Sequence, residues 1–277
     1  DVRSIVYSCD EHGVAQHEAV HAYCNQTFGD TGPTWYSEGM AEVGNYWKQG
    51  QLAVEVEPGA IMYLRNTPPK HLLDIVAAGQ ITGDSWQAYT WRWALCHLLA
   101  FNPNYSDRFK GLGLAMMAKK PGASFESVYG SVAKEISFEY DQFIQQVDNG
   151  YRADLCAWEW NKKFVPLQGD RYVKRDVEAN RGWQASGLRV SANEKYDYVA
   201  KGTWKISDRS EVDADGTADG GGKLLGVVMK EFELSEPFEL GARGTFTAPT
   251  DGDLYLRCND KWHQLADNDG VIPVYLR

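Results

Sequence analysis

The chain has 277 residues, 43% hydrophobic and 24% charged, which is enough apolar material to close a sizeable core without staples. Its formal net charge of −10 opposes a polyanionic partner and argues against a nucleic-acid-binding role. No apolar run reaches the roughly 18 residues that a membrane span needs, and no signal-peptide pattern opens the chain at Asp1, so the N-terminus carries no readable address.

Residues 11–28 come first in chain order. They place Val14, His17, Val20, His21 and Cys24 at three- and four-residue steps, which predicts a helix. Residues 90–101 are apolar almost all round, as in a buried helix. Ser124 opens another helical stretch with Val128, Val132 and Ile136 at four-residue steps, and residues 135–147 continue it until Asn149-Gly150 stops it. After Pro166 the texture changes to short β-rich runs at 187–190, 196–199, 202–206, 224–229, 244–247, 254–257 and 271–276, punctuated by Gly, Asp and Pro. That pattern predicts an antiparallel sandwich or barrel. The expected organisation is therefore multidomain: a mainly α domain over 1–168 and an all-β sandwich over 169–277, with the boundary near Gln168.

Ten Trp and fifteen Tyr fit an aromatic core better than a ligand groove. Cys9, Cys24, Cys96, Cys156 and Cys258 form no C-x-x-C pair, which argues against a cysteine zinc site, and their odd number leaves a thiol without an internal partner.

The chemistry concentrates at His17-Glu18-Ala19-Val20-His21, an H-E-x-x-H run. On a helix, positions i and i+4 face the same way, so both imidazoles reach one metal, while Glu18, one residue along, reaches a water on that metal. Ala19 and Val20 suit the buried side of such a helix. A catalytic zinc wants a third protein ligand and an open position. The segment Trp35-Tyr-Ser-Glu38-Gly-Met-Ala-Glu42 supplies two acids a helical turn apart: Glu38 is assigned as the ligand, and Glu42 as the acceptor for the free N–H of a ligand imidazole.

H-E-A-V-H followed by W-Y-S-E-G-M-A-E resembles the gluzincin metallopeptidases, in particular the bacterial peptidase-MA-like families. The resemblance covers roughly residues 10 to 160. It implies a gluzincin-type catalytic domain with Glu18 as general base on a zinc-bound water and Glu38 as third ligand to zinc. It extends to Tyr89-Thr-Trp-Arg-Trp-Ala-Leu-Cys-His97, where it implies that Tyr89, or less directly His97, donates a hydrogen bond to the tetrahedral oxyanion.

The β-rich half carries a second resemblance. Lys223 to Lys230, Pro237-Phe-Glu-Leu-Gly, Phe246-Thr-Ala-Pro, Gly252 to Asp260 and Asp267-Asn-Asp-Gly follow one another as in the bacterial galactophilic calcium lectins, over about residues 183 to 277. This implies a sandwich of galactose-binding-like type and a calcium ion held by Asp260, Asp267 and Asn268, with a backbone carbonyl at Gln264; all are oxygen donors, as calcium requires. Residues 211–222 contain no sugar-contacting His. Their opening, Glu211 to Gly216, resembles half of an EF-hand loop, but its twelfth position is Gly222, so it reads as a solvated turn.

Together these readings predict a secreted or periplasmic zinc peptidase that hydrolyses peptide bonds of glycoproteins, with carbohydrate as a further ligand. The alternatives are a zinc peptidase with no glycan preference and a structural sandwich, or a non-enzymatic glycan-binding protein on a degenerate peptidase fold.

Overall fold

In the computed structural model, residues 4–77, 85–169 and 171–277 are described. The chain forms two compact units, residues 1–149 and 150–277.

The first unit is α-helical: α1 (His12–Phe28), α2 (Thr34–Asn45), α3 (Pro58–Asn66), α4 (Leu72–Val76), α5 (Trp86–Phe101), α6 (Ser106–Met117), α7 (Phe125–Tyr129) and α8 (Ala133–Gln146). The all-round apolar run becomes the central helix α5, whose residues from Thr90 to Leu99 are all buried, with α2, α3, α6 and α8 packed around it. Gly29 ends α1 in the left-handed conformation (φ 76°) and donates its N–H to Asn25, because only a residue without Cβ turns there at no steric cost. Ser124 does cap a helix, accepting from Ser127 N–H, but the expected continuous stretch is broken by a 3-10 turn at Gly130–Val132. The buried stripe is accordingly Phe125 and Tyr129 rather than Val128 and Val132. Helices α3, α4 and α6 were not expected from the sequence, although α6 buries Phe109, Leu112, Met116 and Met117 at helical spacing.

The second unit is an all-β, sandwich-like region. One sheet has the order β1 (Val173–Glu178), β11 (Val271–Leu276), β3 (Lys195–Ala200) and β9 (Arg243–Thr247). The other runs β2 (Gln184–Val190), β10 (Gly252–Cys258), β6 (Leu224–Lys230) and β7 (Glu233–Leu234), with β8 (Phe238–Glu239) also on β6, and β4 (Trp204–Ser207) pairs with β5 (Ser210–Val212). Each run expected from sequence forms a strand. Strict alternation in β3 sends Tyr196, Tyr198 and Ala200 inward to a core shared with Leu188, Val228, Leu256 and Val274.

The boundary differs from the expected Gln168. Residues 150–168 have a loop texture, yet they belong to the second unit because they are fastened to its sheets. Val165 donates its N–H to Gly187 at 2.9 Å and accepts from Arg189 at 2.9 Å. Glu159 takes Arg175 through both carboxylate oxygens (2.9 and 2.7 Å) and the Ala185 N–H at 2.8 Å. Trp158 packs on Tyr255 at 4.6 Å between ring centroids. All five cysteines are free thiols. Among the described residues, no helix is long and apolar enough to cross a membrane.

Candidate metal centre

Helix packing around glycines brings the histidine helix and the glutamate helix together. A Cβ on Gly44 would lie 2.5 Å from Val20 Cγ2, so α1 and α2 meet at a distance that only glycine allows. Gly39, directly after Glu38, presses on α5: a Cβ there would lie 2.4 Å from Cys96 Sγ and 2.8 Å from the Arg92 carbonyl oxygen. Glu38 is thereby held between the helix that carries the histidines and the core helix.

The ligand atoms converge. His17 Nε2 and His21 Nε2 are 3.2 Å apart, and Glu38 Oε2 lies 3.4 Å from each. A tetrahedral ion with bonds of about 2.0–2.1 Å separates its ligand atoms by about 3.3–3.4 Å. The three observed separations fit that geometry. Among the described residues this is the group of His, Cys, Asp and Glu side chains that brings three ligand atoms within 4.8 Å of one another.

The outer nitrogens are held as well. His17 Nδ1 lies 2.9 Å from Glu42 Oε1. Because a carboxylate only accepts, His17 carries its proton on Nδ1 when neutral and presents the Nε2 lone pair to the site. Ser37 Oγ lies 3.3 Å from His21 Nδ1 and anchors the second ring. Sequence reasoning missed Ser37, although its place immediately before Glu38 was the available signal. Glu38 lies within reach of both imidazoles, and Glu42 stands beside the outer nitrogen of His17.

Glu18 is half-buried and forms no hydrogen bond or ion pair among the described residues, so its carboxylate is uncommitted. Ala19 is exposed, contrary to expectation, since it lies 200° around the helix from buried His17 at the ordinary 100° per residue; Val20 is half-buried against Gly44. Tyr89, in the first turns of α5, joins the site: its ring centroid is 5.8 Å from that of His17. His97 does not. It sits two turns further along α5 within an aromatic cluster of Trp93, Phe101 and Phe143.

Electrostatics follow from this crowding. For His17, burial opposes the imidazolium, but hydrogen bonds and charge from Glu38 and Glu42 outweigh it and raise the pKa to about 9. For Glu38, burial opposes the carboxylate, but His17 and His21 outweigh it and lower the pKa to about 2. The metal-free pairing at His17 therefore stabilises the fold fully below pH 6.5 and ceases to do so as pH rises through about 9. A metal must expel that proton. Calorimetric zinc titrations in buffers of different ionisation enthalpy are expected to show about one proton released per ion at pH 7, declining above pH 9. Uptake without proton release at pH 7 would contradict the assignment.

In the second unit, Asp260 accepts the Lys261 N–H through Oδ1 at 2.7 Å, while its Oδ2 is buried with no hydrogen-bond partner. Asn268 is buried, donates Nδ2 to the Ala179 carbonyl at 3.2 Å, and likewise leaves Oδ1 buried without a partner. Asp267, by contrast, is exposed at the end of a 3-10 turn, and the Gln264 carbonyl accepts the Asp267 N–H at 3.3 Å. The acidic stretch at 211–216 is occupied internally, with Asp213 accepting from Asp215 N–H at 2.9 Å and Asp215 from Ala242 N–H at 2.8 Å.

No family model matches the chain, and no curated protein matches it. Among solved structures, the C-terminal β region resembles the EclA N-terminal domain, described as a PllA-like lectin, at 18% sequence identity and a TM-score of 0.31. The match covers 37% of this chain and 92% of that one.

Proposed function

We propose that the protein is a zinc-dependent peptidase of gluzincin type that hydrolyses peptide bonds in glycosylated polypeptides. The observation that carries this reading is the convergence of His17, His21 and Glu38 at 3.2–3.4 Å with an uncommitted Glu18 next to the first ligand. Two imidazoles and one carboxylate make a catalytic donor set, since three protein ligands leave a coordination position open. Zinc held there supplies a Lewis acid for the scissile carbonyl and lowers the pKa of water toward neutrality.

The chain's own residues do the rest. Glu42 and Ser37 orient the two rings, so the site needs no reorganisation during reaction. Glu18 takes the proton of the attacking water and hands it to the leaving amine. Tyr89 supplies the phenol that donates to the oxyanion. Turnover by zinc-loaded protein on matched O-glycosylated and deglycosylated peptides tests the reading: cleavage of neither would overturn it, and equal cleavage of both would remove the glycan preference.

The glycan preference rests on the sequence resemblance of residues 183–277 to calcium lectins. Asp260 Oδ2 and Asn268 Oδ1, each buried without a hydrogen-bond partner, are available as donors to such an ion. A buried acceptor without a donor is costly, and a hard cation removes that cost. Calcium is therefore expected to raise the unfolding midpoint, by the equivalent of about 2.7 kcal/mol at a hundredfold excess over Kd, and Asp260→Ala to abolish the shift while zinc content stays intact. A midpoint insensitive to calcium would rule the ion out.

A further inference from the structure

We propose that Asn45 is a positioning residue of the metal centre, acting through Glu42 on His17, and that residue 13 is glycine to leave room for it. The inference rests on the metal-binding reading of His17, His21 and Glu38.

Asn45 is the last residue of α2, one turn beyond Glu42. Its Nδ2 donates to Glu42 Oε2 at 3.0 Å, while Glu42 Oε1 holds His17 Nδ1 at 2.9 Å. Both oxygens of one carboxylate are thus engaged from two sides, which leaves the carboxylate a single orientation and so sets the plane of the His17 ring. A carboxylate held by His17 alone could rotate about its own axis and carry the ring with it. The orientation of the Asn45 amide is not arbitrary: Glu42 only accepts, so the NH2 must face it and the carbonyl must face away.

That carbonyl points at α1. A Cβ on Gly13 would lie 2.0 Å from Asn45 Oδ1 and 3.2 Å from its Cγ. Gly13 sits one turn before His17, as the second residue of α1. Its φ is not positive, so the backbone makes no demand for glycine there. Nothing in the first turn of a helix calls for glycine over alanine, and what glycine provides here is space. The obstructing atom is the far end of a side chain, so a methyl group at position 13 would push the Asn45 amide off Glu42 rather than disrupt the helix. A cleft of about 440 Å³ lined by His12, Gly13, Gln16, Asn45 and Trp47 lies on this side. Water from it can partly replace a lost amide, which keeps the expected effect within the range seen for such outer contacts.

The test is zinc affinity of the full chain, measured by competition with a chromophoric chelator, alongside the unfolding midpoint of the metal-free protein. Asn45→Ala and Gly13→Ala are each expected to weaken zinc by up to about 10-fold, the low end of the range for a group that touches a ligand directly. Gly13→Ala should do so without lowering the metal-free midpoint, since alanine favours the helix; a merely structural contact would move the midpoint instead. The double variant should be little worse than either single one, because both remove the same contact. Wild-type affinity in both single variants, or fully additive losses, would overturn the inference alone. A wild-type chain that binds no zinc would overturn the metal reading and this inference with it.

Discussion

Replacing Glu18 with Gln is expected to lower kcat/KM for a polypeptide substrate by about 10²–10⁴-fold, the contribution of a positioned general base. Glutamine keeps the volume and polarity of the side chain but cannot accept a proton at neutral pH. The substitution should leave the metal untouched, because His17, His21 and Glu38 hold one another at 3.2–3.4 Å without any help from Glu18. Nor should it destabilise the fold, since Glu18 makes no hydrogen bond or ion pair among the described residues. Zinc content by atomic spectroscopy and initial rates on one preparation separate the two effects. Full activity in Glu18→Gln would remove Glu18 from the reaction, and loss of zinc would make it a ligand.

Removing Glu38 should act on the metal itself. Glu38→Ala deletes one of three donors and is expected to weaken zinc by more than about 100-fold, beyond the 10- to 100-fold expected for Glu42→Ala, which removes only an orienting contact. The metal-free protein reports the same difference independently. His17 keeps Glu42 but loses Glu38, one of the two carboxylates that overcome its burial, so its pKa should fall from about 9 in an NMR titration. A larger zinc loss for Glu42→Ala than for Glu38→Ala would exchange the two assignments.

The residues concerned differ in how visible they are in the sequence. The spacing of His17 and His21, and the acids a turn apart at 38 and 42, are local properties: they follow from helical periodicity and survive any packing that keeps the helices intact. The strands were legible for the same reason, as alternation within β3 is a property of the run itself. Helices α3 and α4 were not, because they are short and tertiary burial rather than pattern makes them helical; α6 does carry an apolar stripe, Phe109, Leu112, Met116 and Met117, but it is interleaved with Gly111 and Gly113, which weigh against a helix.

The outer layer of the site was hidden further. Ser37 and Asn45 are ordinary polar residues until another helix approaches, and which of Tyr89 and His97 meets the metal site depends on how α5 is rotated against α1. The same holds in the second unit, where Asp260 and Asn268 have buried oxygens and Asp267 faces solvent, although all three are equally good oxygen donors on paper. The unit boundary also moved, because residues 150–168 owe their allegiance to hydrogen bonds with Gly187, Ala185 and Arg175 that no local pattern announces.

The amino-acid sequence by itself determined the chemistry on offer at this site: two imidazoles and an acid on one helix, two acids on the next, each at a spacing set by the 3.6-residue turn. Only the tertiary structure decided the distances between them, because those depend on how closely helices approach, and here Gly39 and Gly44 set that approach by having no Cβ to keep their neighbours away.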